Sequence, residues 1–135
     1  MRSLLGVLVV LATIRGAAAA DAWTPQAWTG ESTIELRTTD PGDEPHWFPV
    51  WLAVIDGRVY VRLGSRAAGR FDRNVTKPLV GVRIAGASFE RVRGVLAPEM
   101  AEQVAAAMHQ KYWGDLWVQY VNHPYTVRLE PDAGG

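Results

Sequence analysis

The stretch HWFPVWLAVIDGRVYVRLG, His46 to Gly64, decides how this chain folds. Two runs rich in β-branched and aromatic residues flank Asp56-Gly57, a dipeptide suited to the positive backbone angles of a tight hairpin turn. Side chains alternate along a strand, so Phe48, Val50, Leu52 and Val54 share one face with the opposing Val59, Val61 and Leu63. By the same parity Trp47, Trp51, Tyr60 and Arg62 lie on the other face. Pro49 has no N–H to give to a ladder, which places part of its strand at an edge or bulge.

The neighbouring segments extend this pattern. Upstream, STIELRT (Ser32 to Thr38) alternates as a half-buried strand, and TDPGDEP (Thr39 to Pro45) is turn material. Residues 21–31 read as an arm or short helix that packs Trp23 and Trp28 on the domain. Downstream, Gly69 to Val75 has room for two helical turns that Pro78 stops. LVGVRIAGASFERVRGVLA is a second hairpin turning at Gly86-Ala87, with Val80, Val82 and Ile84 inward and Arg83 outward. PEMAEQVAAAMHQKYW opens with Pro98 at a first helical position and repeats Met100, Val104 and Met108 along one stripe, predicting an amphipathic helix that ends near Gly114. DLWVQYVNHP is ambiguous, and YTVRLEP supplies a last strand. The expectation is a mainly β (α+β) domain over 32–131. It is a six-stranded antiparallel barrel with a short helix and one long amphipathic helix outside. Residues 132–135 are expected to be a disordered tail.

MRSLLGVLVVLATIRGAAAA, the first twenty residues, has a basic start, a short apolar run and a small-residue end. That is the anatomy of a cleaved secretory signal, too short to span a bilayer of about 20 apolar residues. It implies a periplasmic or secreted protein with no stable membrane anchor after cleavage. There is no cysteine, so neither a disulfide framework nor a thiolate metal site exists. The chain carries 14 Lys and Arg against 14 Asp and Glu, and losing Arg2 and Arg15 leaves it slightly acidic. That balance speaks against a general nucleic-acid binder.

Locally the charge reverses. RVYVRLGSRAAGRFDRN, from Arg58 to Asn74, holds five arginines: Arg58, Arg62, Arg66, Arg70 and Arg73. Arg70 and Arg73 are three apart and would meet on one face of a helical turn. Guanidinium forks bind phosphate oxygens bidentately, and Gly64-Ser65 at a helix start would add backbone donors and a favourable dipole. The competing reading is a solvated face salt-bridged to Asp56, Asp72 and Glu90. Trp47 and Trp51 suit a flat ring ligand, a dimer partner or plain packing, and Trp113 and Trp117 carry the same ambiguity. His46, His109 and His123 have no metal-ligand spacing, so no metal site is expected. No Ser-His-Asp order, P-loop or dinucleotide fingerprint appears, and the catalytic residues stay unassigned.

The series FPVWLAVIDGRVYVRLGSRAAGRFDRNVTKPLVGVRIAGASFE, followed by a helix and YTVRLEP, resembles the split β-barrel flavin-binding superfamily. This group includes pyridoxamine-phosphate-oxidase-like and deazaflavin-dependent nitroreductase-like proteins. The features that carry it are the PVW strand, a strand ending in Gly64-Ser65-Arg66, and the Arg73-Asn74-Val75 segment running to Pro78. The resemblance implies a homodimer and an FMN or deazaflavin cofactor, hence a flavin- or deazaflavin-dependent oxidoreductase of nitroreductase or quinone-reductase type. It implies a phosphate site at Arg62, Ser65, Arg66 and Arg70, with Arg73 and Lys77 as further candidates, and the outward parity of Trp51 lets it line the ring site. A leader peptide is unusual for that group. The alternative is an exported, non-catalytic haem or small-anion binding module on the same scaffold, with His46 or His109 as a haem ligand.

Overall fold

The computed structural model describes residues 21–112 and 125–132. The leader 1–20, Trp113, Trp117, His123, the expected helix end near Gly114 and the tail beyond 132 lie outside them.

Seven strands form one antiparallel sheet: β1 (Ile34–Thr39), β2 (Pro45–Val50), β3 (Leu52–Ile55), β4 (Arg58–Leu63), β5 (Leu79–Ile84), β6 (Ala87–Leu96) and β7 (Tyr125–Pro131). The spatial order is β2-β1-β5-β6-β7-β4-β3. Its two outermost strands, β2 and β3, are consecutive in sequence and separated by Trp51 alone. Laid flat, seven strands would hold those edges about 29 Å apart at the usual strand spacing. One residue spans about 3.8 Å. The sheet therefore has to curl until its edges meet, and the chain itself closes the seam.

This seam corrects the expected strand count from six to seven. The run from His46 to Ile55 was expected to form one strand, but it changes partner at Trp51. Before it, Val50 pairs with Ile34 and Phe48 with Leu36 on β1. After it, Leu52 pairs with Val61 and Val54 with Val59 on β4. Parity survives the break. Val50 and Leu52 are both buried in the barrel core, with Phe48 and Val54 packed against it.

The Asp56-Gly57 turn forms as expected, with both residues at positive φ. The second hairpin turns at Ala85-Gly86, one residue earlier than expected, and Ala87 already pairs with Ile84. Among the described residues, two α-helices lie outside the sheet. The first, α1 (Ser65–Arg73), begins four residues earlier than the expected Gly69, with Gly64 as its N-cap. The second, α2 (Ala101–Lys111), follows a 3₁₀ turn at Pro98–Met100 and is shorter than the long helix expected. It stops because Tyr112 leaves the helical backbone (φ −108, ψ 101) and carries its side chain to the seam.

Two apolar clusters result. The barrel interior holds Ile34, Leu36, Leu52, Val59, Val61, Leu63, Val82 and Leu129, and Trp28 plugs it from the N-terminal arm. Trp28, Trp23 and Phe89 pack edge to face there. The second cluster lies outside the barrel, where α2 sets Val104 and Met108 over Ala53 and Tyr60. Outward-facing is thus not solvent-facing for Tyr60, which is 3% exposed because a helix covers it. No helix among the described residues is long and apolar enough to cross a membrane.

Candidate functional site

A cavity of about 460 Å³ opens at the seam. One wall is apolar: Phe48, Pro49, Val50 and Trp51 from the strand break, with Met108 from α2. The other is cationic: Arg62 near the end of β4, then Gly64, Ser65, Arg66, Ala67 and Arg70 from the turn and α1.

Helix α1 is held in place from its other side. Its buried residues are Ala68 and Phe71. Phe71 fits a notch in β6 that exists because residue 94 is glycine; a Cβ there would lie 2.7 Å from Phe71 Cε1. Next in the chain, Asp72 accepts the Tyr125 hydroxyl at 2.9 and 2.8 Å. With Phe71 and Asp72 so anchored, Ser65, Arg66 and Arg70 fall on the cavity side.

The electrostatics of this wall are unbalanced. The first turn of α1 has no acidic residue and no side-chain cap, and it carries Arg66 where the helix dipole is already positive. Neither Arg66 nor Arg70 forms an ion pair among the described residues. Arg70 lies 5.8 Å from the Phe48 ring centroid. Its charge helps hold Asp43 below the ordinary carboxylate range, after the larger effects of the Glu44 N–H and the His46 side chain.

Two of the three carboxylates expected to neutralise the arginine stretch are engaged elsewhere. Glu90 pairs with Arg37 at 2.7 Å and Asp72 binds Tyr125, while Asp56 sits in the β3–β4 turn.

Of the residues singled out in the sequence, the fold gathers Trp51, Arg62, Ser65, Arg66 and Arg70 around one cavity. Arg73 and Lys77 are not among its lining residues. Arg73 points to the β1–β2 turn and pairs with Asp40 at 3.0 Å, so Arg70 and Arg73 serve different neighbours. Lys77 donates to the Asp72 carbonyl at 3.0 Å. Arg83 is also outside the cavity, its guanidinium 3.7 Å from the Trp47 ring centroid.

His46 contacts Asp43 at 3.2 Å, His109 is exposed on α2, and neither lines the cavity. Met108 and Phe48 were read from the sequence only as core positions. Their place in the cavity follows from the closure of the barrel, for which no local signal exists.

A curled antiparallel sheet closed at one residue, with a cavity at the closure, defines a split β-barrel protein. No family model matches the chain, and no curated protein matches it in sequence. Solved structures do share its fold. The conserved hypothetical protein Rv2991 from Mycobacterium tuberculosis is 23% identical, with a TM-score of 0.60 over 82% of this chain and 84% of that one. HutZ, the heme storage protein from Vibrio cholerae, is 17% identical, with a TM-score of 0.59 over 81% and 88%. An F420-H2 dependent reductase, FDR-A, is 12% identical, with a TM-score of 0.55 over 74% and 95%. At these identities the likeness is one of fold.

Proposed function

We propose that this protein binds a flavin or deazaflavin coenzyme at the seam cavity and works as an oxidoreductase of the split-barrel type. One observation carries the reading. A helix start bearing Arg66 and lacking a side-chain cap faces the same cavity as Arg62 and Arg70, opposite an apolar wall that includes Trp51. A phosphate monoester satisfies the free N–H groups of the helix start and the guanidinium groups together. A flat heteroaromatic ring suits the wall.

In this arrangement Ser65, Arg66 and Arg70 would hold the phosphate, the hydroxyl by donating to it and the guanidinium groups by neutralising it, with Arg62 lining the same cavity. Trp51, Phe48 and Met108 would shield the ring from water. When bound, the coenzyme would supply the hydride or electron transfer. The fold is shared with an F420-H2 dependent reductase, which supports a redox coenzyme without deciding which one. The proposal includes export, with processing near Ala20, and a homodimer. Intact mass of the secreted protein and light scattering check these directly.

The test is binding of FMN and of riboflavin, which lacks the phosphate. The wild-type protein is expected to prefer FMN. Arg66→Ala and Arg70→Ala should each weaken FMN binding about tenfold or more, as expected for charge-assisted hydrogen bonds of about 1.5–3 kcal/mol, and leave riboflavin unchanged. A protein that takes up neither flavin nor deazaflavin rejects the reading. A Soret band on purification, lost in His109→Ala or His46→Ala, would replace it with the haem-binding alternative, whose fold-level support is the likeness to HutZ.

A further inference from the structure

The geometry points to Tyr112 as the positioning residue of the ring wall, an inference that rests on the flavin or deazaflavin reading above. Trp51 is the single residue between β2 and β3 and belongs to neither ladder. Its indole therefore needs support from elsewhere. The Tyr112 ring lies parallel to it, with centroids 4.3 Å apart and planes 6° from coplanar. Trp51 lines the cavity and Tyr112 does not, so the phenol is backing for the indole rather than part of the ligand surface.

The hydroxyl of the same tyrosine spans the seam. It donates to the Ser32 carbonyl, just before β1, at 2.8 Å and accepts the Leu52 N–H, at the start of β3, at 3.2 Å. Lys111 Nζ donates to the Leu52 carbonyl at 3.1 Å. The hydroxyl ties the start of the edge strand β3 to the segment leading into β1, the neighbour of the other edge strand, and no ladder joins β1 to β3. One side chain thus does two separable things: its hydroxyl closes the seam and its ring orients Trp51.

A ring-orienting role predicts a specific pattern of affinities. Tyr112→Phe keeps the stack and loses the bridge, so it should bind FMN and riboflavin as the wild type does while melting at a lower temperature. Tyr112→Met loses the stack and fills the space. It should bind both flavins more weakly by the same factor, about three- to tenfold from the usual worth of an aromatic pair. A purely structural tyrosine would change melting in both variants and affinity in neither. Unchanged flavin binding in folded Tyr112→Met, or a loss confined to FMN, overturns the inference.

A second measurement needs no variant. In the FMN complex of the wild-type protein, nuclear Overhauser contacts between Trp51 and Tyr112 should persist. Flavin ring protons should contact Trp51 and not Tyr112, and flavin contacts to Tyr112 would overturn the inference. Failure of the wild-type protein to bind FMN, riboflavin or a deazaflavin rejects the proposed function and this role with it. Flavin binding that is indifferent to Tyr112 rejects this role alone.

Discussion

The carboxamide of Asn74, 1% exposed, holds the turn that follows α1. Its oxygen accepts the Thr39 N–H at 3.0 Å and the Thr76 hydroxyl at 3.0 Å, and its nitrogen donates to the Leu79 carbonyl at 2.8 Å. Asn74→Ala would leave the half-buried Thr39 N–H without its partner, while the Thr76 hydroxyl still reaches the Leu79 carbonyl at 2.8 Å, and should lower the unfolding free energy in urea by about 1–3 kcal/mol. Two glycines make a matched comparison. At Gly94 an added methyl meets the buried Phe71 ring at 2.7 Å, so Gly94→Ala should cost about 1–3 kcal/mol by overpacking. At Gly81 the same methyl meets the Arg37 guanidinium at 2.8 Å, the far end of a flexible side chain. Gly81→Ala should therefore cost under about 1 kcal/mol, the worth of an exposed ion pair such as Arg37–Glu90. Equal losses at the two glycines would contradict this packing.

Helix α1 is the element on which the site depends, and one of its anchors titrates. The hydrogen bond to Asp72 pushes the Tyr125 phenol above its ordinary range, with desolvation and the Asp72 charge acting the same way. A proton held more tightly in the folded state stabilises the fold below the unfolded value, about 10 for tyrosine. That contribution is lost as pH rises through the folded value. Phenolate absorbance during an alkaline titration should show one tyrosine ionising after its ordinary range, and Asp72→Asn should bring it back down. A titration unaffected by that substitution would mean that the Asp72–Tyr125 bond does not form in solution. Elements also show where local reading stops. The amphipathic stripe of Met100, Val104 and Met108 was legible because it repeats along one helix face. The end of α2 was not, because it is set by the reach of Tyr112 to Ser32 and Leu52, residues far away in sequence.

Across the whole molecule, closure by the chain rather than by a ladder makes stability uneven. The inner strands β1, β5, β6, β7 and β4 each pair on both sides, whereas β2 and β3 pair on one. Amide hydrogen exchange should be slowest in the inner five and faster in β2 and β3, where local opening exposes unpaired edges. A flavin that binds at the seam should slow exchange in β2, β3 and the first turn of α1 more than elsewhere. Protection spread evenly over the barrel would argue against a seam site. The period-two alternation, the Asp56-Gly57 turn and the outward parity of Arg62 and Arg83 were determined by the sequence itself, since each depends only on residues a few positions apart. Which strands form the two edges, that Trp51 joins them, and that Arg66 and Arg70 share a cavity while Arg73 turns to Asp40 were decided only by the tertiary structure. Those outcomes follow from curling the sheet until β2 and β3 meet, and no local window of the chain contains the contacts that this closure brings about.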